Sequence, residues 1–294
     1  HKHLKQNQSI DRIGPMIRAV VFFYLASTLY GQSVQVLEFP NEFQDQEFYP
    51  DIISIGPGEW FFYLDSKSRM LAARSPAGNF LFAGGFGNDY DAFFDPVGLT
   101  VSNLDLLVCD RSEKKILRFD YKLNYTGSIS LDPHQDGSGV YIDKISTDLW
   151  GYYYLYSADD HLIRRGNASG IDRLPFLDLN QQTIGGVCLE SMVIVPNGDI
   201  GILLSCKGEV IIFNRLGRIK SKLMVTIPTP SKLQYVENKW IVINAEGQGQ
   251  ILDNLEKSEF SIPIRTDEKL LDCAVNNQDL ICLTNRRMLV VQFE

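Results

Sequence analysis

The sequence predicts an all-β chain built as a six-bladed β-propeller, and three observations carry the prediction. Short apolar runs rich in β-branched and aromatic residues are broken every eight to twelve residues by Gly, Asn, Asp or Pro, without helical periodicity. These runs group into a four-run unit that recurs six times. The last unit ends at Glu294 one run short, while an unassigned run, Ser33 to Phe39, precedes the first full unit. Joining the two ends completes the sixth blade and removes exposed sheet edges.

The 294 residues are 45% hydrophobic and 11% aromatic, enough to bury a core without metals or disulfide staples. Residues 1–15 are polar and match no folded element, so they read as an upstream segment, with Met16 as the expected start. Residues 16–31 have the layout of a secretory signal: Arg18 beside Met16, an apolar run from Ala19 to Tyr30, and Gly31 before a polar Gln32-Ser33. The run is too short to span a bilayer comfortably. The expected mature chain is therefore a single domain over 32–294, secreted or periplasmic, with no membrane span. Removing Lys2, Lys5, Arg12, Arg18 and Asp11 takes the formal charge from −8 to −11. An acidic surface of that size argues against a nucleic-acid partner held by phosphate contacts.

The second unit reads Asp95 to Val101, Leu106 to Cys109, Ile116 to Phe119 and Tyr125 to Ile129. The fourth reads Ser191 to Val195, Ile200 to Leu204, Val210 to Phe213 and Ile219 to Val225, with Pro196-Asn197-Gly198-Asp199 as a hairpin signal. The residues opening the first run are Asp51, Asp95, Asp143, Glu190, Lys232 and Lys269, spaced by 44, 48, 47, 42 and 37. Four strands at that period are what a propeller blade requires.

Within the second unit, Gly84, Gly85 and Gly87 precede a Phe before Pro96-x-Gly98-Leu99, followed by a Leu-Val-x-Asp ending at Asp110 and an Ile116-x-x-Phe119-Asp120 exit. This stretch resembles an NHL repeat; the other units keep the period and the apolar runs only. The resemblance implies a propeller and no particular activity, because the fold hosts lyases, lactonases, receptor domains, RNA binders and scaffolds. It also implies that Asp110 organises a turn rather than catalysing, in keeping with the chemistry of Asp at turns.

Catalytic chemistry has little support. His134 and His161 are the only histidines after residue 31, too few for a largely His-ligated zinc site, and Gly166-Asn-Ala-Ser-Gly170 has the wrong spacing for a nucleophile elbow. No phosphate loop, dinucleotide fingerprint or EF-hand loop occurs. The expectation is thus a non-catalytic binding or scaffolding domain for a protein, peptide or glycan, without a cofactor. The alternative is a calcium-dependent lactonase or hydrolase in which Asp51, Asp95, Asp143 and Glu190 converge on the central pore. Ring-dense segments 59–63, 148–154 and 43–49 are candidate binding surfaces, although most of those rings alternate within strands and should pack between blades.

Five Cys, at 109, 188, 206, 273 and 282, show no CxxC or metal-ligand spacing. A hairpin around Asn276-Asn277-Gln278-Asp279 places Cys273 opposite Cys282. An oxidising compartment permits a disulfide there, while adjacent-strand strain favours two buried thiols. Cys188 and Cys206 fall one residue out of step around the Asn197-Gly198 turn, so no bond is expected between them.

Overall fold

A computed structural model describes residues 32–293 except 88, 103–104, 133–138, 184 and 253–256. Residues 1–15 and 16–31, read from the sequence as an upstream segment and a secretory signal, and His134 lie outside the described residues.

Six antiparallel sheets form the ring, each a meander running from the axis outward. Blade 1 comprises Ile52–Gly56, Trp60–Asp65, Met70–Arg74 and Phe80–Gly84, and blade 2 Pro96–Ser102, Asp105–Asp110, Lys115–Phe119 and Tyr125–Ser130. Blade 3 comprises Lys144–Thr147, Tyr153–Tyr156 and Leu162–Asn167, with its outer strand split into Gly170–Ile171 and Leu177–Asp178. Blade 4 is Leu189–Ile194, Ile200–Leu204, Glu209–Phe213 and Ile219–Met224; blade 5 is Pro230–Val236, Lys239–Asn244, Gln248–Leu252 and Lys257–Ser261. Blade 6 takes Leu270–Asn276, Asp279–Thr284 and Arg287–Phe293 from the end of the chain and its outer strand, Gln32–Glu38, from the beginning. That strand pairs in unbroken register from Gln32 opposite Phe293 to Glu38 opposite Arg287. The missing run of the sixth unit is thus supplied as the sequence predicts.

The alternation within strands explains where the core sits. Each blade presents one face to each neighbour, and six buried clusters occupy the six spaces between blades. Phe62, Leu64 and Leu71 of blade 1 meet Leu106, Val108 and Phe119 of blade 2; Val34, Leu280 and Leu289 of blade 6 meet Ile241 and Ile243 of blade 5. Between blades 4 and 5 the fit is close enough to require a glycine, because a Cβ on Gly201 would lie 2.3 Å from the Trp240 ring.

Each blade also fastens the end of its second strand to the loop that enters its first strand. In blade 1 the Asp65 carboxylate accepts from the N–H groups of Tyr49, Lys67 and Ser68, and in blade 2 Asp110 accepts from Phe94, Asp95 and Glu113. Asn244 of blade 5 donates to the Pro228 carbonyl and accepts from Glu246 and Gln248. In blade 6 Thr284 donates to Glu268 at 2.6 Å. Asp110 therefore has the turn-organising part that the resemblance implies.

Blade 4 has Leu204 at this position, and the fastening there is the disulfide Cys188–Cys206, with Cα atoms 6.0 Å apart. This corrects the sequence expectation. Strand alternation does not govern either sulfur: a bulge between Leu189 and Ser191 breaks the register, and Cys206 lies in a 3-10 turn over Ser205–Lys207 beyond the strand end. Cys273 and Cys282 stand directly opposite one another, as predicted, as buried thiols with sulfurs 3.6 Å apart. Replacing Cys206 by Ser should lower the unfolding free energy by about 3 kcal/mol, the chain-entropy value for a loop of this size. Denaturant titration checks this, and an unchanged midpoint would mean that the bridge adds nothing to the blade.

Candidate functional site

The six first strands each pair on one side only, so their other edges face the axis. They enclose a channel of 380 Å³ lined by all six blades. Side chains tie these edges together between blades. The Ile53 N–H donates to Asp272 at 3.0 Å, the Leu233 N–H to the Ser191 hydroxyl at 3.2 Å, and the Thr147 hydroxyl to the Val101 carbonyl at 2.7 Å. Lys144, Glu190, Lys232 and Asp272 are the charged residues of the lining. The Lys232 ammonium lies 3.2 Å from Asp272. Burial works against the charged amine, and Asp272 outweighs it, holding Lys232 above its ordinary value.

The four carboxylates proposed for the pore separate into two kinds. Asp51, Asp95 and Asp143 sit just ahead of their first strands and belong to the fastenings. Asp51 accepts from the Ser66 N–H and hydroxyl, and burial pushes its carboxyl up despite those bonds. Asp143 accepts from the Ala158 N–H at 2.7 Å and pairs with Arg111 at 3.0 Å. Asp95 offers its carbonyl to the Arg111 N–H and its own N–H to Asp110. Glu190, the bulge residue of blade 4, lines the channel. Among the described residues no three His, Cys, Asp or Glu side chains are grouped as a metal site requires. His161 stands in a turn of blade 3, its Nδ1 3.0 Å from the Tyr156 hydroxyl.

Exposed rings mark both faces of the ring. On the face formed by the first-to-second-strand hairpins, Leu149 and Trp150 project at the channel mouth, beside a 310 Å³ hollow lined by Ile55, Pro57, Val101 and Pro196. Asp148 holds this tip by accepting from the N–H groups of Trp150 and Tyr152, both at 2.9 Å.

The opposite face is formed by the loops crossing from one blade to the next. It presents Tyr49 and Phe86, each about 70% exposed, and Tyr141, while the equally exposed Tyr90 lies against Tyr125 of the outer strand of blade 2, with ring centres 5.2 Å apart. These loops are fixed from below: Phe43, Phe48 and Phe93 are buried anchors, and Asp65 and Asp110 hold Tyr49 and Phe94 by their backbones. Of the ring-dense segments, Phe61, Phe62, Tyr63, Phe43, Phe48, Tyr153 and Tyr154 are core, while Tyr49 and Trp150 are surface. Phe86 and Tyr90 escaped the sequence reading. Their signal is an aromatic flanked by two Gly (Phe86) or by two Asp (Tyr90), outside any alternating run.

No protein-family model matches the chain, and no curated protein matches it. Solved structures do. A catalytically inactive virginiamycin B lyase from Staphylococcus aureus with quinupristin is similar over 82% of this chain and 80% of its own, at 12% identity and a TM-score of 0.61. A streptogramin B lyase is similar over 90% and 98%, at 11% identity and TM-score 0.58, and YCF48 bound to D1 peptide over 89% and 97%, at 10% and 0.55. One of these neighbours is a lyase held with quinupristin and another a protein held with a peptide, so at these identities the likeness shows the fold alone: the chain is a six-bladed β-propeller.

Proposed function

We propose that the protein is an exported, NHL-repeat-like propeller that binds a protein or peptide without transforming it, in the periplasm or outside the cell. The observation that carries this reading is the set of exposed rings on the crossing-loop face, held by buried anchors and fastened backbones. Large aromatic side chains that are ordered before binding lose little freedom on contact, and such residues dominate recognition surfaces. A propeller neighbour, YCF48, is captured with a peptide on the same general scaffold. The Cys188–Cys206 bond suits an oxidising compartment, which supports export.

The test is fluorescence anisotropy of a panel of labelled peptides with wild type and a Tyr49→Ala/Phe86→Ala variant. Saturable binding, weakened about tenfold or more in the variant, is the expected result. Calcium titration of wild type beside a variant lacking Asp51, Asp95, Asp143 and Glu190 tests the hydrolase alternative. Tight calcium binding lost in that variant, without any peptide binding, would overturn the proposal.

A further inference from the structure

Two consecutive crossing loops, residues 41–51 and 85–95, meet the two ends of one turn, Asp65–Arg69. Asp65 accepts from the Tyr49 N–H at 2.8 Å. At the other end Arg69 donates to the Phe94 carbonyl at 2.8 Å, and its guanidinium lies 4.9 Å from the centre of the Phe86 ring. Tyr49 and Phe86, 71% and 69% exposed, therefore flank a single turn on one face.

Besides Asp51 and Asp95 of the fastenings, these loops hold Glu42, Asp45, Glu47, Asp89 and Asp91, and contain no Lys or Arg. Of these five, all are exposed except the half-buried Asp91. Among the described residues none of the five forms an ion pair, although ten ion pairs occur elsewhere in the fold. Arg69 is already engaged by a ring and a carbonyl. Lys67, in the middle of the turn, is the exposed cation between the loops. Both cations keep their charge, but the two loops set five carboxylates against them, so the net charge around the turn is negative.

Resting on the peptide-binding reading above, we propose that this face selects a cationic segment of a protein partner. Lys or Arg side chains of the partner sit among Glu42, Asp45, Glu47, Asp89 and Asp91, and their alkyl stems and apolar neighbours cover Tyr49 and Phe86. Long basic side chains suit both demands, because the stem packs on apolar surface while the head stays among charges. The exposed Tyr49 ring adds attraction for a cation above its face. An anionic partner meets five carboxylates without ion pairs in the same two loops, which is the repulsive half of specificity. Complementary charge at a rim acts chiefly on the association rate and fades with salt.

The experiment uses three labelled peptides of one length and one Phe, carrying four Lys, four Ser or four Glu. Anisotropy should show the Lys peptide binding about tenfold more tightly than the Ser peptide, with the preference collapsing near 0.3 M salt, on the order of what screening at that ionic strength removes. The Glu peptide should not saturate. Glu47→Lys/Asp89→Lys should erase the preference, whereas Glu237→Lys on the hairpin face should leave it intact; thermal melts confirm that each variant is folded. Equal or tighter binding of the Ser or Glu peptide, still lost in Phe86→Ala, would overturn the cationic selection and leave the binding face standing. Failure of all three peptides to saturate would overturn both.

Discussion

Replacing Arg287 by Leu should destabilise the protein by about 3–5 kcal/mol at neutral pH, the range for orphaning one member of a buried ion pair. Arg287 meets Glu268 through two parallel bonds of 3.0 Å, and also donates to the Pro263 carbonyl. Glu268 further accepts from the Thr284 hydroxyl at 2.6 Å and from the Arg265 N–H at 3.1 Å. Both charges are buried. The cluster joins the third strand of blade 6 to the loop entering its first, in the blade that closes the ring. Loss of the guanidinium leaves a carboxylate without its counter-charge in a place that water does not reach.

The pH dependence has a definite sign. Burial works against the Glu268 carboxylate, and the Arg287 and Thr284 bonds outweigh it, so its carboxyl lies below the ordinary value of 4.5. A carboxyl lowered by folding contributes stability that is complete above 4.5 and is lost as pH falls through the lower folded value. The Arg287→Leu variant lacks that contribution, so the gap between it and wild type should narrow on acidification below 4.5. Urea unfolding at neutral and acid pH measures both curves. A gap that widens in acid would show that the pair is not what is lost.

Asp110→Ala should cost about 3 kcal/mol, because it strands several N–H groups at a fully buried position. The acceptor is shared by the Phe94 N–H at 2.7 Å, the Glu113 N–H at 3.0 Å and the Asp95 N–H at 3.3 Å. Asp110→Asn should recover part of the loss, since Asn244 occupies the equivalent position in blade 5 and accepts there from two N–H groups. The expected signature is a lower denaturant midpoint with an unchanged slope. A shift below about 0.5 kcal/mol in Asp110→Ala, the range of an ordinary surface substitution, would contradict a fastening role.

These fastenings show how far the sequence could be read. Blade number, strand grouping and ring closure rest on period-two alternation and on the spacing of apolar runs, both of which belong to single segments. Residues Cys273 and Cys282 could be placed opposite each other because a short hairpin fixes register by counting. Cys188 and Cys206 could not, since a bulge and a 3-10 turn lie between them and alternation ends at both. The same limit applies to Asp51, Asp95 and Asp143. Their alignment at unit openings correctly marked a repeated position, but whether a side chain there turns toward the axis or toward its own blade depends on loop geometry. In the fold Asp51 and Asp143 reach N–H groups of the turns at Ser66 and Ala158. Phe86 and Tyr90 were invisible for a related reason: exposure is decided by which neighbours the crossing loop meets.

Hydrogen–deuterium exchange of the wild-type protein with and without the tetra-lysine peptide tests the binding face most directly. Slowed exchange confined to residues 47–51, 66–69 and 85–95 is the predicted result. Protection at the hairpin-face tip, residues 148–150 and 195–198, or along the axial channel, with none on the crossing loops, would contradict it.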